Sequence, residues 1–178
     1  MGRRTQISVA GFNADSCTEA AYDVAYRVGK EIAARGGVVV CGGLGGVMQA
    51  ASKGAADAGG ESLGIIPSAE LDDANPYCDY VVATGLGHGR NFLVAHSGDA
   101  MIVVGGGAGT LIEAAAAYQA GKTVVAIRGT GGTADEIAGR FLDERRTRRV
   151  LSATSAKEAV RKAMAGRSGT RARTRRPS

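Results

Sequence analysis

The chain has 178 residues, 44% of them hydrophobic and 28 of them glycine, which suits one domain with a sizeable core. Its longest apolar runs are about five residues, which excludes a transmembrane helix. The run at residues 7–10 is too short for a signal peptide, so we expect a cytoplasmic protein. The three cysteines, Cys17, Cys41 and Cys78, are far apart along the chain, which predicts neither a disulfide framework nor a zinc site.

The net charge of +5 is unevenly distributed along the chain. Residues 1–139 hold 9 Lys/Arg and 14 Asp/Glu, a net of −5, whereas residues 140–178 hold 13 and 3, a net of +10. Residues 166–178 carry five arginines, no acid and no large apolar residue, which predicts a basic, disordered tail. We therefore expect one domain over residues 1–165, and a tail that makes at most weak, salt-sensitive contacts with polyanions.

Short apolar runs alternate with segments of helical periodicity along the whole chain. The predicted strands are 5–11, 38–41, 62–66, 79–84, 100–104 and 122–127, with a short last strand at 150–151. Predicted helices lie at 16–35, 47–58, 92–97, 111–119, 133–143 and 155–165, and two of them open on capping boxes, Ser16 with Glu19 and Thr133 with Glu136. This alternation predicts an α/β fold, a doubly wound, mostly parallel Rossmann-like sheet with helices on both faces.

Glycine-rich turns follow the second, fourth and fifth predicted strands, at residues 42–46, 85–91 and 105–109. Glycine lets the backbone approach a ligand closely, and a helix N-terminus attracts phosphate. Any one of these turns alone would more simply be a tight packing turn. Because parallel strands place all three turns at one edge, and the acid Glu113 follows the third, we favour one ligand site built from all three.

Two nucleotide-binding motifs are incomplete in this chain. Gly121-Lys122-Thr123 resembles the end of a P-loop, but position 116 is alanine where the motif needs glycine, and a predicted helix precedes it. The dinucleotide fingerprint fails after Gly109, because its third glycine position is occupied by Ile112. These departures disfavour NAD.

Residues 105–113, GGGAGTLIE, resemble the PGGxGTxxE motif of the Lonely Guy phosphoribohydrolases, members of the SLOG superfamily formerly described as lysine decarboxylase-like. His88-Gly89-Arg90 resembles their HxRK segment, residues 41–48 resemble GGGxxGLM, and residues 64–67 resemble GxIP. Gly105 replaces the motif proline and Asn91 replaces the lysine. With these two replacements, the chain is more similar to a side branch of the family that includes molybdenum-cofactor carrier proteins.

The resemblance implies cleavage of the N-glycosidic bond of a nucleoside 5′-monophosphate, without a metal or cofactor. Glu113 would stabilise the positive charge that develops on the ribose or orient the attacking water, and Arg90 would contact the leaving base or the phosphate. The residues expected to bind the nucleotide are Gly42, Gly43, Gly46, Met48, Asn91, Gly106, Gly107, Gly109 and Thr110.

The sequence is also compatible with a second function. A carrier that holds a phosphorylated ligand, such as molybdenum cofactor or a nucleotide, needs the same phosphate cradle but does not need Glu113 as a catalyst. In either case the resemblance, together with the alanine-rich surface of residues 111–120, predicts a homodimer or a larger assembly.

Overall fold

The computed structural model describes the backbone of residues 2–171 and the side chains of residues 2–165. Within this range the strands are β1 (Gln6–Gly11), β2 (Val38–Cys41), β3 (Glu61–Ile66), β4 (Tyr80–Ala83), β5 (Ala100–Val104), β6 (Thr123–Ile127) and β7 (Leu151–Ala153). The helices are α1 (Glu19–Ala34), α2 (Val47–Asp57), α3 (Arg90–Ser97), α4 (Ala108–Gln119), α5 (Gly132–Ile137) and α6 (Ala156–Arg171).

The strands form one parallel sheet in the order β4-β3-β2-β1-β5-β6-β7. Two buried apolar clusters separate the layers: α1, α2 and α6 cover one face, and α4 and α5 cover part of the other. The predicted doubly wound α/β fold is therefore confirmed. The chain leaves β1 toward β2 and returns after β4 to β5, on the other side of β1, so the loops diverge there and leave a crevice.

The many small residues allow the helices of one layer to pack closely. A Cβ atom on Gly29 of α1 would lie 2.0 Å from the carbonyl oxygen of Ala51, and one on Gly54 of α2 would lie 2.0 Å from that of Tyr26. The backbones of α1 and α2 thus touch directly. The glycine and alanine content reflects this close packing as well as the glycine turns.

Both predicted capping boxes are wrong, because other groups satisfy the helix starts. Helix α1 is capped by Thr18, whose hydroxyl accepts a hydrogen bond from the Ala21 amide. Helix α5 begins after Gly131, and the Thr133 hydroxyl donates instead to the carbonyl of Gly107. Helix α5 also ends at Ile137 rather than near residue 143, because the chain turns away from helical geometry there.

The last helix runs to Arg171, past the predicted start of the tail at residue 166. Extending an existing helix by one residue avoids the cost of nucleation, which accounts for the longer α6. Residues 172–178, and with them the rest of the predicted disordered tail, lie outside the described residues. Among residues 2–171, no helix combines the length and the apolar character needed to cross a membrane.

Candidate functional site

A cleft of about 500 Å³ opens where the carboxyl ends of β1 and β5 diverge. This volume suits a small phosphorylated ligand. Residues after β2, β4 and β5 all reach it, as predicted for a single site built from three loops. Its lining includes Leu44 and Met48 after β2, His88, Arg90 and Asn91 after β4, and Gly107, Gly109, Thr110 and Glu113 after β5.

Glu113 and Arg90 form an ion pair at the base of this cleft. Their closest atoms, Oε1 and Nη1, are 3.5 Å apart, and the side chains are 8% and 10% exposed. Glu113 lies on the sheet-facing side of α4 together with Thr110, Ala114 and Ala117, so it is not a solvated helix residue. Burial raises the pKa of Glu113 to about 7, although the neighbouring Arg90 guanidinium lowers it.

Arg90 keeps hydrogen-bonding capacity for a ligand. A guanidinium carries five N–H donors, and in the described part of the chain Arg90 uses one of them, toward Glu113. No fully buried side-chain nitrogen or oxygen among residues 2–165 lacks a partner, so the other donors retain contact with the cleft. The arrangement offers one cation to an anionic group, with a carboxyl beside it that is neutral in part of the population near pH 7.

The N-terminus of α4 opens onto the same cleft. Gly107 is the N-cap residue, and the first internal hydrogen bond runs from the Leu111 amide to its carbonyl. The amides before Leu111 therefore have no intrahelical partner. A Cβ atom on Gly107 would find no described atom within 4 Å, and one on Gly109 would approach Asn91 at 3.7 Å. Backbone donors with open space in front of them form a site suited to phosphate.

Two polar side chains at this helix end differ in what they can offer. The Thr110 hydroxyl donates to the carbonyl of Gly11 at 3.1 Å, which fixes α4 to the end of β1. Its proton is therefore not available to a phosphate, although the oxygen can still accept a hydrogen bond. Asn91 is 4% exposed and lines the cleft, and its side-chain amide makes no hydrogen bond within the described part of the chain. Asn91 is therefore free to bind a ligand.

Four of the predicted binding residues lie behind the cleft wall rather than on it. Gly42 lies under the Arg90 guanidinium, and Gly43 lies against Ile66. A Cβ atom on Gly46 would be 2.5 Å from the Phe12 carbonyl oxygen, and one on Gly106 would be 2.5 Å from the Thr110 hydroxyl. These glycines fit protein atoms into the wall, and ligand contact by them stays a prediction.

The loop after β1 also reaches the cleft, through Phe12, Asn13 and Ser16. The sequence did not identify this loop as part of the site, because its only glycine, Gly11, ends the strand. The Phe12 ring fills the space that a side chain at Gly105 would occupy, with its nearest ring atom 2.2 Å from that Cβ position. The central position of β1 in the sheet, which depends on long-range pairing, brings this loop into the site.

Residues after β6 stabilise the glycine turn at residues 105–109 through three hydrogen bonds. The Gly105 amide donates to the Thr130 hydroxyl at 2.8 Å, and the Thr133 amide and hydroxyl donate to the carbonyls of Gly106 and Gly107. These bonds hold the turn rigidly in front of α4.

Comparison with known proteins agrees with this architecture. The profile of the SLOG cluster4 family matches residues 4–160. The chain belongs to the SLOG cluster4 family. The predicted membership of the SLOG superfamily is thereby confirmed. An uncharacterized protein of Archaeoglobus fulgidus is 47% identical over 123 residues, which cover 69% of this chain and 80% of the relative.

Solved structures place this SLOG cluster4 protein near the carrier branch. The structural genomics target TM1055 superposes with a TM-score of 0.82 at 36% identity, covering 88% of this chain and 96% of the target. The molybdenum cofactor binding protein of Rippkaea orientalis gives 0.79 at 31%, covering 89% and 94%. The molybdenum cofactor carrier protein of Chlamydomonas reinhardtii gives 0.78 at 32%, covering 92% and 99%.

The glycine in place of the Lonely Guy motif proline has a structural reason in this SLOG cluster4 chain. Gly105 has φ +61°, whereas proline is restricted to about −65°. Its amide donates to Thr130, and proline has no amide hydrogen. The turn therefore cannot hold proline in this conformation.

Proposed function

We propose that this protein binds and carries a phosphorylated small molecule in the cleft, with molybdenum cofactor as the first candidate. The observation that carries the proposal is the open N-terminus of α4, which faces the cleft beside Arg90 and Asn91. The backbone amides would hold the phosphate, Arg90 would supply the balancing charge, and the Asn91 amide would contact the rest of the ligand. The similarity to two molybdenum cofactor proteins over nearly their whole length supports this cargo.

The second candidate is a phosphoribohydrolase that acts on a nucleoside 5′-monophosphate. It is favoured by the position of Glu113, which is buried at the cleft next to Arg90. An ionised Glu113 would stabilise an oxocarbenium-like transition state, and its neutral form would supply a proton to the leaving base. A pKa of about 7 allows both forms near neutral pH.

One experiment separates the two functions. Purified protein is titrated with isolated molybdenum cofactor and with a panel of nucleoside 5′-monophosphates, and the same mixtures are assayed for free base. If the protein is a carrier, we expect it to bind the cofactor and to release no base from any nucleotide. Release of base at a rate proportional to protein concentration would contradict carriage as the sole function.

The variant Glu113→Gln sharpens this test, because it keeps the shape of the side chain and removes its charge. For a carrier, we expect ligand affinity to be unchanged or higher, since repulsion of the phosphate is lost. For a phosphoribohydrolase, we expect turnover to fall by about 100-fold or more with affinity little changed. A fully active Glu113→Gln enzyme would exclude the catalytic role.

We also propose that the protein forms a homodimer through α3 and α4, which pack side by side. Phe92, Leu93, Leu111 and Ile112 on these helices are 40–54% exposed, a concentration of apolar side chains that favours burial against a partner. Light scattering at micromolar concentration should report a dimer or larger, and Ile112→Glu should shift the mass toward the monomer. A monomeric wild type would contradict this prediction.

A further inference from the structure

The structure brings two of the three cysteines together behind the cleft. Cys41 ends β2 and pairs in register with Gly64 of β3, so the two residues direct their side-chain positions to the same face of the sheet. Neighbouring parallel strands are about 4.8 Å apart. Gly64 has no side chain, and the space is filled by Cys78, whose Sγ lies 2.7 Å from the position of a Gly64 Cβ. The two thiols are thus neighbours on one face.

A shared hydroxyl confirms that the thiols are adjacent. Ser52 of α2 places its Oγ 3.4 Å from the Cys41 sulfur and 3.7 Å from the Cys78 sulfur. The loop that carries Cys78 is anchored nearby, because the Asn75 amide and side chain donate to the carbonyls of Gly43 and Leu44. This geometry is compatible with the short separation that a disulfide requires.

The two thiols differ in exposure and in acidity. Cys78 is partly exposed, whereas Cys41 is fully buried. The interaction with Cys41 lowers the pKa of the Cys78 thiol to about 7, and the same interaction together with burial raises the pKa of Cys41. Its exposure and its acidity thus suit Cys78 to act as a nucleophile, and the position of Cys41 suits it to act as a resolving thiol. Cys17 provides a comparison within the chain, because burial raises the pKa of its thiol.

We propose that Cys41 and Cys78 form a redox-active thiol pair that hydroperoxides convert to a disulfide. The Cys78 thiolate attacks one peroxide oxygen, the O–O bond breaks, and the departing oxygen takes up a proton to leave as water or an alcohol. Cys41 then loses its proton and attacks the Cys78 sulfenic acid, whose hydroxyl leaves as water. Two thiols lose two hydrogen atoms, and the peroxide takes up the two electrons.

The test uses the full-length protein, reduced, freed of reductant and treated with hydrogen peroxide at neutral pH. The protein is then unfolded in denaturant that contains N-ethylmaleimide, which blocks every remaining thiol including the buried Cys41, and peptides are mapped by mass spectrometry without reduction. We expect a Cys41–Cys78 cross-linked peptide that dithiothreitol reverses, with Cys17 blocked by the maleimide. Oxidation of Cys78 to sulfinic acid while Cys41 remains open to the maleimide, or cross-links that involve Cys17, would overturn the proposal.

Three matched variants assign the roles. Cys78→Ser should abolish the cross-link, Cys41→Ser should leave a Cys78 sulfenic acid that dimedone captures, and Cys17→Ser should behave like the wild type. In the unmodified wild type at pH 7, iodoacetamide should label Cys78 roughly tenfold or more faster than Cys17, because the thiolate fraction is larger. Equal labelling rates would contradict the assignment of Cys78 as the nucleophile, and this measurement does not depend on the folding of any variant.

Discussion

The two glycine turns after β2 and β5 look alike in sequence but differ in what their glycines face. In the turn at residues 42–46, Gly42, Gly43 and Gly46 all have protein atoms where a side chain would begin. In the turn at residues 105–109, Gly105 and Gly106 are packed in the same way, but Gly107 faces open space and Gly109 nearly so. The glycines of the first turn make room for neighbouring parts of the protein, whereas the last two glycines of the second turn leave room for a ligand.

This difference shows that glycine in a strand-to-helix turn has more than one physical reason. Gly46 has φ +62° and Gly105 has φ +61°, conformations that other residues rarely adopt. Gly107 has φ −118°, which any residue accepts. Glycine at position 107 is thus not required by the backbone, which makes its role in ligand access directly testable.

The largest effect is expected from Gly107→Val. Its side chain would stand in the open space before α4 and displace a phosphate from the helix amides. We expect affinity for a phosphorylated ligand to fall by about 100-fold or more, equivalent to roughly 3 kcal/mol, measured by calorimetry. Stability should change little, because the φ angle and the open space both accept valine.

Gly107→Ala serves as the graded control, since its smaller side chain should weaken binding less than valine does. Unchanged affinity in a folded Gly107→Val protein would contradict phosphate binding at α4. The difference between the two glycine turns would then have no functional meaning.

The next effect concerns pH and uses Glu113 on α4. The pKa of this carboxyl rises from 4.5 to about 7 on folding, so the folded protein holds more protons than the unfolded chain between these values. This proton uptake favours the folded state, and its contribution to the free energy of unfolding is fully present below pH 4.5 and is lost as pH rises through 7. Relative to Glu113→Gln, the wild type should lose about 3 kcal/mol at most over this window, measured by urea unfolding.

The Gln variant isolates this titration from all others, because the remaining ionisable groups are common to both proteins. Parallel stability curves from pH 4.5 to 8 would show that Glu113 is ionised in the folded protein across that range.

The sequence was sufficient for the fold and for several residues that line the cleft, for reasons visible in particular residues. The apolar runs at 38–41 and 100–104 match β2 and β5, because strands buried on both faces need continuous apolar sequence. Arg90 and Glu113 were identified through motif resemblance, and the fold places them 3.5 Å apart. The loop after β1 and the Cys41–Cys78 pair depend on strand order and register, which local patterns do not encode.

A substitution in the glycine turn at residues 42–46 should lower the free energy of unfolding and leave the ligand affinity unchanged. Gly46→Ala forces a side chain into φ +62° and within 2.5 Å of the Phe12 carbonyl oxygen. We expect a loss of about 2 kcal/mol in the free energy of unfolding, in the range of a strained backbone position. Ligand affinity of the folded fraction should be close to that of the wild type. A stable Gly46→Ala protein with weakened binding would place this glycine in the site after all.

The smallest effect is expected from Gly42→Ala. Gly42 of the first turn lies against the Arg90 guanidinium, which pairs with Glu113 on the helix after the second turn. The new Cβ would lie 2.0 Å from Nη1, the end of a flexible side chain, so the guanidinium moves while the backbone stays in place. The contact with Glu113 is lost, and we expect ligand affinity to fall about tenfold, equivalent to ~1.4 kcal/mol. Because this effect acts through Arg90, Gly42→Ala should have no further effect on affinity in an Arg90→Ala background. Additive losses in that double-mutant cycle would show instead that Gly42 contacts the ligand itself, and the first turn would then share the binding role of the second.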